Sequence, residues 1–141
     1  MAVADKTDQK ISRFLEEQYD ALFDAVPGLY GVLFATADGD PVSARVQEGM
    51  ERDRLAAMSS SLVALGETMA KAAEQQQSEY AIVQNSDGYV VSLRIGKHLL
   101  LSAFARRDTN LGMLLSSCRS TAEHVSAKIK PREGDNNGRR G

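Results

Sequence analysis

Few side chains in this 141-residue chain could carry out chemistry: two histidines, His98 and His124, and one cysteine, Cys118. His98 belongs to a turn segment, Gly96-Lys97-His98, while Cys118 and His124 fall in one helical stretch. Six positions apart, they stand about 240° around a helix and cannot share a face. No CxxC, HExxH, GxSxG, GxxxxGK[ST] or GxGxxG occurs, so metal, nucleophile and phosphate-loop chemistry lack their sequence pattern. Cys118 is expected to be a small core residue. The carboxylates of Asp38-Gly39-Asp40 and Ser86-Asp87-Gly88 are explained by turn formation rather than by calcium. Arg106-Arg107 is expected to be a solvated strand end, with an arginine finger for a GTPase as the functional alternative. Met58 and Met69 are expected in the core. No cofactor and no metal are expected, and nothing points to an enzyme.

Composition narrows the class further. A 43% hydrophobic content over this length suits one domain with a sizeable core. A formal charge of −2 and a pI near 5.7 give no support for nucleic acid as a partner. No apolar run is long enough to insert in a membrane, the N-terminus lacks a signal-peptide pattern, and a lone cysteine fits a reducing compartment. A cytoplasmic location is the expectation.

Taken in order, residues 1–7 are polar and expected to be flexible. A helix capped by Asp8 follows, carrying Ile11, Phe14, Leu15, Leu22 and Phe23, and Pro27-Gly28 ends it. Leu29–Ala35 is apolar on both faces, and Asp38-Gly39-Asp40-Pro41 turns it into an alternating strand, Val42–Val46. After a long helix come three strands: Glu79–Asn85, Tyr89–Ile95 and the doubly apolar Leu99–Ala105. A last helix, capped by Asp108 or Asn110, carries Leu111, Leu114, Cys118, Ala122, Val125 and Ile129, and Pro131 stops it. The tail 131–141 has no hydrophobic residue and is expected to be disordered, leaving 8–130 as the folded domain. The order α-β-β-α-β-β-β-α gives an α+β sandwich. Its central five-stranded antiparallel sheet should have one long helix on one face and two helices on the other.

The long helix, Arg52–Gln75, has two stripes. Leu55, Met58, Leu62, Leu65, Met69 and Ala72 form a bulky one; Ala56, Ser59, Val63, Gly66, Ala70 and Ala73 form a small one about 100° around. The bulky stripe is expected to lie on the sheet and the small one to meet a second copy of the helix. In the sheet, the two doubly apolar strands belong side by side in the middle. Val42–Val46 then forms one edge, guarded by Pro41 and an outward Arg45. Glu79–Asn85 forms the other, unprotected edge. The expected dimer interface is therefore Ser59, Val63, Gly66, Ala70 and Ala73 with Tyr80 and Ile82.

Three segments together resemble the roadblock / dynein light chain family: VPGLYGVLFATADGDPV (Val26–Val42), DRLAAMSSSLVALG (Asp53–Gly66) and RRDTNLGMLL (Arg106–Leu115). The resemblance covers roughly residues 10–129. It implies a homodimer in which central helices pack together and edge strands join two sheets. It also implies a non-enzymatic role, binding and modulating a small Ras-like GTPase, with activation of hydrolysis one form this takes. An adaptor or scaffold without a GTPase is the alternative, and a small-molecule sensor a further one, disfavoured by uniformly apolar core positions.

Overall fold

Three helices and five strands follow one another as α1 (Ala2–Ala25), β1 (Leu29–Thr36), β2 (Pro41–Val46), α2 (Arg52–Ala72), β3 (Ala81–Gln84), β4 (Gly88–Ile95), β5 (Leu99–Arg106) and α3 (Leu111–Arg140). The computed structural model describes the backbone of residues 2–140 and the side chains of residues 9–129. Both outer helices run past their expected bounds: α1 begins at Ala2 rather than at a cap on Asp8, and α3 continues through Pro131 to Arg140. The expected flexibility of residues 1–7 and disorder of the tail 131–141 concern side chains outside these described residues.

The sheet is antiparallel with strand order β2-β1-β5-β4-β3. β1 and β5, buried along nearly their whole length, occupy the middle as their two-sided apolarity requires. One face is covered by α1 and α3, whose Leu15, Tyr19, Leu22, Val26, Leu114, Cys118 and Val125 pack on Val32, Phe34, Val91, Leu93 and Leu101. The other face carries α2 over Leu33, Ala35, Leu100 and Phe104. This is the anticipated sandwich, and Cys118 is a core residue whose burial pushes its thiol up to about 12.

Two corners anchor the layers. At the α1–β1 corner, Gly28 has φ +95° and its carbonyl accepts a hydrogen bond from the Arg106 amide at 2.9 Å. Thr109 donates its hydroxyl to the Pro27 carbonyl at 3.2 Å, so the start of α3 is tied to the end of α1. Asn110, rather than Asp108, caps α3: its Oδ1 accepts from the Met113 amide at 2.9 Å.

The β2 edge differs from expectation. Arg45 is not turned outward but towards α1, donating to Glu16 Oε1 at 2.6 Å and Asp20 Oδ1 at 2.8 Å and lying over the Tyr19 and Phe23 rings. Beneath it the Tyr19 hydroxyl is fully buried with no partner in hydrogen-bonding geometry among the described residues. Burial pushes this phenol up to about 12, and the nearby Ser43 hydroxyl only moderates the effect.

Helix α2 ends sooner than its sequence suggests. Glu74 takes a left-handed conformation (φ 58°), and the Gln75 amide returns to the Ala70 carbonyl at 2.8 Å, the backbone pattern that closes many helices. Near this end Arg94 grips Glu67 through Nε (2.6 Å) and Nη2 (3.0 Å) and reaches the Lys97 carbonyl with Nη1. The hydrogen bonds from Arg94 hold the Glu67 carboxyl below the usual carboxylate value, against the opposing effect of burial. The pair's stabilisation is therefore complete above pH 4.5, the ordinary value, and is lost as pH falls through the lowered one. Glu67→Gln is expected to flatten the acid limb of a melting temperature–pH profile. The pair is about a third exposed, so the loss at neutral pH should be at most about 1 kcal/mol. A variant profile parallel to that of the parent would contradict this.

Candidate protein-interaction surface

The two stripes of α2 exchange roles relative to expectation. The small one faces the sheet: Ala56, Ser59, Val63 and Ala70 are buried. The bulky one faces away: Met58, Leu65 and Met69 are 53%, 55% and 62% exposed, so the methionines are not core residues. Leu55 and Leu62 flank the row and are half-buried. The physical reason is closeness. Ser59 Oγ lies 2.7 Å from Ser102 Oγ on the central strand, an approach that leaves no room for leucine or methionine under the helix.

The residues expected at a dimer interface are thereby divided. Ser59, Val63 and Ala70 are covered by this chain's own sheet, and Gly66 is half-buried. A Cβ on Gly66 would lie 3.3 Å from Ser78 Oγ and 3.7 Å from Ala81 Cβ, so the close approach that glycine permits is made to the chain's own β3 lead-in. Ala73 is exposed at the end of α2, and Ile82 is 42% exposed on β3. Tyr80 is half-buried; its hydroxyl donates to the Leu115 carbonyl at 3.2 Å and accepts from Arg119 Nε at 2.9 Å, while Arg119 also grips Glu79.

These positions adjoin one another. Leu62, Gly66, Met69 and Ala73 share one flank of α2 by their three- and four-residue spacing. Gly66 places that flank against β3. Val83 pairs with Val90, which packs under α2, so Val83 (38% exposed) belongs to the same side of the sheet, whereas Ile82 pairs with Val91 and faces α3. An exposed apolar strip thus runs from Met58 along α2 to the outer strand of the sheet, whose second ladder of backbone groups has no partner among the described residues. Sequence reasoning located the edge but missed Met58, Leu65, Met69 and Val83. The available signal was that three of these are large residues on a helix whose other stripe could already cover a sheet.

Among the described residues, no group of three metal-ligating side chains converges, and no helix is long and apolar enough to cross a membrane. A polar recess of about 410 Å³ beside Glu67 and Arg94 has its arginine fully engaged. Arg106 and Arg107 are exposed, Arg107 donating to the Ser86 carbonyl at 3.1 Å.

One helix over one face, two over the other and the strand order β2-β1-β5-β4-β3 define the class, a three-layer α+β sandwich. Within it, the sequence pattern of Roadblock/LC7 domains matches residues 15–105, and the chain belongs to that family. Among solved structures it is similar to a Roadblock/LC7 domain from Streptomyces avermitilis (18% identity, TM-score 0.72, covering 79% of this chain and 93% of that one). It is also similar to MglB of Myxococcus xanthus (14%, 0.71, 79% and 90%) and to MglC of the same organism (16%, 0.54, 77% and 93%). No curated protein sequence matches the chain.

Proposed function

We propose that the chain acts as a homodimer built on the outward row of α2 and the β3 edge, and that this dimer binds and modulates a small Ras-like GTPase. The observation that carries the reading is the exposure of Met58, Leu65 and Met69 beside the open edge strand with Ile82 and Val83. Apolar side chains aligned on one surface gain by leaving water together, and an unpaired strand gains a full ladder from a second copy. A two-fold axis brings the same patch to itself, so one surface suffices. Support from outside the chain is twofold: family membership, and a similar MglB structure described as having a tetrameric arrangement (16% identity, TM-score 0.69). The role of Ser59, Val63 and Ala70 is then to seat α2, while Leu62, Ala73 and Ile82 border the contact. Arg106 and Arg107 are exposed at the end of β5, Arg107 held to the Ser86 carbonyl.

Sedimentation at micromolar concentration should give twice 15.3 kDa, and the protein should co-migrate with a Ras-like GTPase of its own genome loaded with a GTP analogue in preference to GDP. A mass of 15.3 kDa throughout removes the dimer. A dimer that ignores every such GTPase removes the partner and leaves a scaffold.

A further inference from the structure

Burying Met58, Leu65 and Met69 against the sheet in place of alanine and serine would take more apolar surface out of water. The helix nevertheless lies on its small side, directly over a polar feature of the sheet. Ser92 and Ser102 stand opposite each other on β4 and β5, both fully buried, with Oγ atoms 2.5 Å apart. Their side of the sheet is the one α2 covers, since Ser102 donates to Ser59 Oγ at 2.7 Å. A hydroxyl has one proton. With that of Ser102 directed at Ser59, the proton of Ser92 points at Ser102. The pair alone satisfies only one of its two protons; Ser59 on the helix above accepts the second, and a helical serine can turn its own proton to a carbonyl of the preceding turn. Any roll of α2 that brought Leu62 or Met69 over the pair would leave that donor facing hydrocarbon, a state strongly disfavoured in a dry interior.

We propose that Ser59, Ser92 and Ser102 are positioning residues for the interaction surface: their buried hydroxyl chain selects the rotation of α2 that keeps Met58, Leu65 and Met69 on the outside. The proposal rests on the reading of that row as a contact surface. Serines in the sheet thus act on a partner they never touch, by rejecting the alternative in which the sticky side of the helix turns inward. Single buried polar groups specify register in other helical assemblies on the same principle, at a cost in stability.

The test uses the full chain with all three serines replaced, Ser59→Ala/Ser92→Ala/Ser102→Ala, so that no hydroxyl is left stranded and folding is retained. Its melting temperature should stay within a few degrees of the parent, whereas Ser102→Ala alone, which strands two hydroxyls, should melt lower. Carbon-13 methyl spectra of the methionines should show single Met58 and Met69 signals in the parent, and doubled or broadened ones in the triple variant. If about a tenth of the variant molecules present the competent face, the apparent dissociation constant of the dimer rises about a hundredfold, because both protomers must be competent. A merely structural role would move the melting temperature and leave the methyl signals single. A triple variant with parental Met58 and Met69 signals and parental dimer affinity overturns the proposal. Should the parent prove monomeric, the interface reading falls, while the methyl spectra still decide whether the serines hold the helix.

Discussion

Met69→Glu is expected to be monomeric at concentrations where the parent dimerises, with its melting temperature as an isolated subunit unchanged. The side chain is 62% exposed, so the charge is fully hydrated in the monomer and the subunit loses almost nothing. In the dimer the two-fold axis would bring in two carboxylates at once, each stripped of water among Leu62, Leu65 and Met58 or their counterparts. An unpaired charge at such a contact costs at least about 3 kcal/mol, a rise of more than about a hundredfold in the dissociation constant. Ala64→Glu, exposed on the flank of the same helix turned away from both the row and β3, should leave association as it was. Light scattering across a dilution series reads both. If the two variants dimerise equally, the outward row is not the contact, and only the β3 edge remains to hold copies together.

Gly28→Ala is expected to lower stability by about 2–5 kcal/mol. Part is conformational: at φ +95° a side chain collides with its own backbone, costing about 1–2 kcal/mol. The rest is steric, because the new methyl would occupy the position of Thr109 Oγ1, and overpacking of this kind costs about 1–3 kcal/mol. Removing the obstacle should separate the parts. In Gly28→Ala/Thr109→Ala the overlap disappears and only the backbone strain and the lost Thr109–Pro27 hydrogen bond remain, so the double variant should lose markedly less than the sum of the singles. Chemical denaturation of the four proteins measures the coupling. Additive losses would show that Thr109 does not wall in this corner.

Strand order was legible because burial on both faces leaves a signature in composition. Leu29–Ala35 and Leu99–Ala105 contain no polar alternation, and they are the two central strands. The rotation of α2 was not, because hydrophobic size ranks Met58, Leu65 and Met69 ahead of Ala56 and Ser59 as core residues. What reversed the ranking is a distance that no periodicity encodes, the nearness of helix and sheet. Its trace in the sequence is the pair of serines inside largely apolar strands, Ser92 and Ser102. Ser59, Val63 and Ala70 were expected to meet a second copy because small residues let backbones come close, and here the backbone that comes close is the chain's own. The left-handed Glu74 was equally hidden, since glycine or asparagine ordinarily marks such a helix end.

The pairing of β1 with β5 also governs how the chain can reach this state. Leu29 meets Ala105 and Thr36 meets Leu99, so the middle of the sheet is a seam between the first and last thirds of the sequence. Until β5 has left the ribosome, β1 has only β2 beside it, and α2 has half a sheet to lie on. The first half is therefore expected to stay unsettled during synthesis and to close in one late step, with the large loop-closure entropy and slow rate that distant strand pairing entails. During that wait the row of α2 and the bare flank of β1 are exposed together. A partner copy emerging from a neighbouring ribosome would meet both.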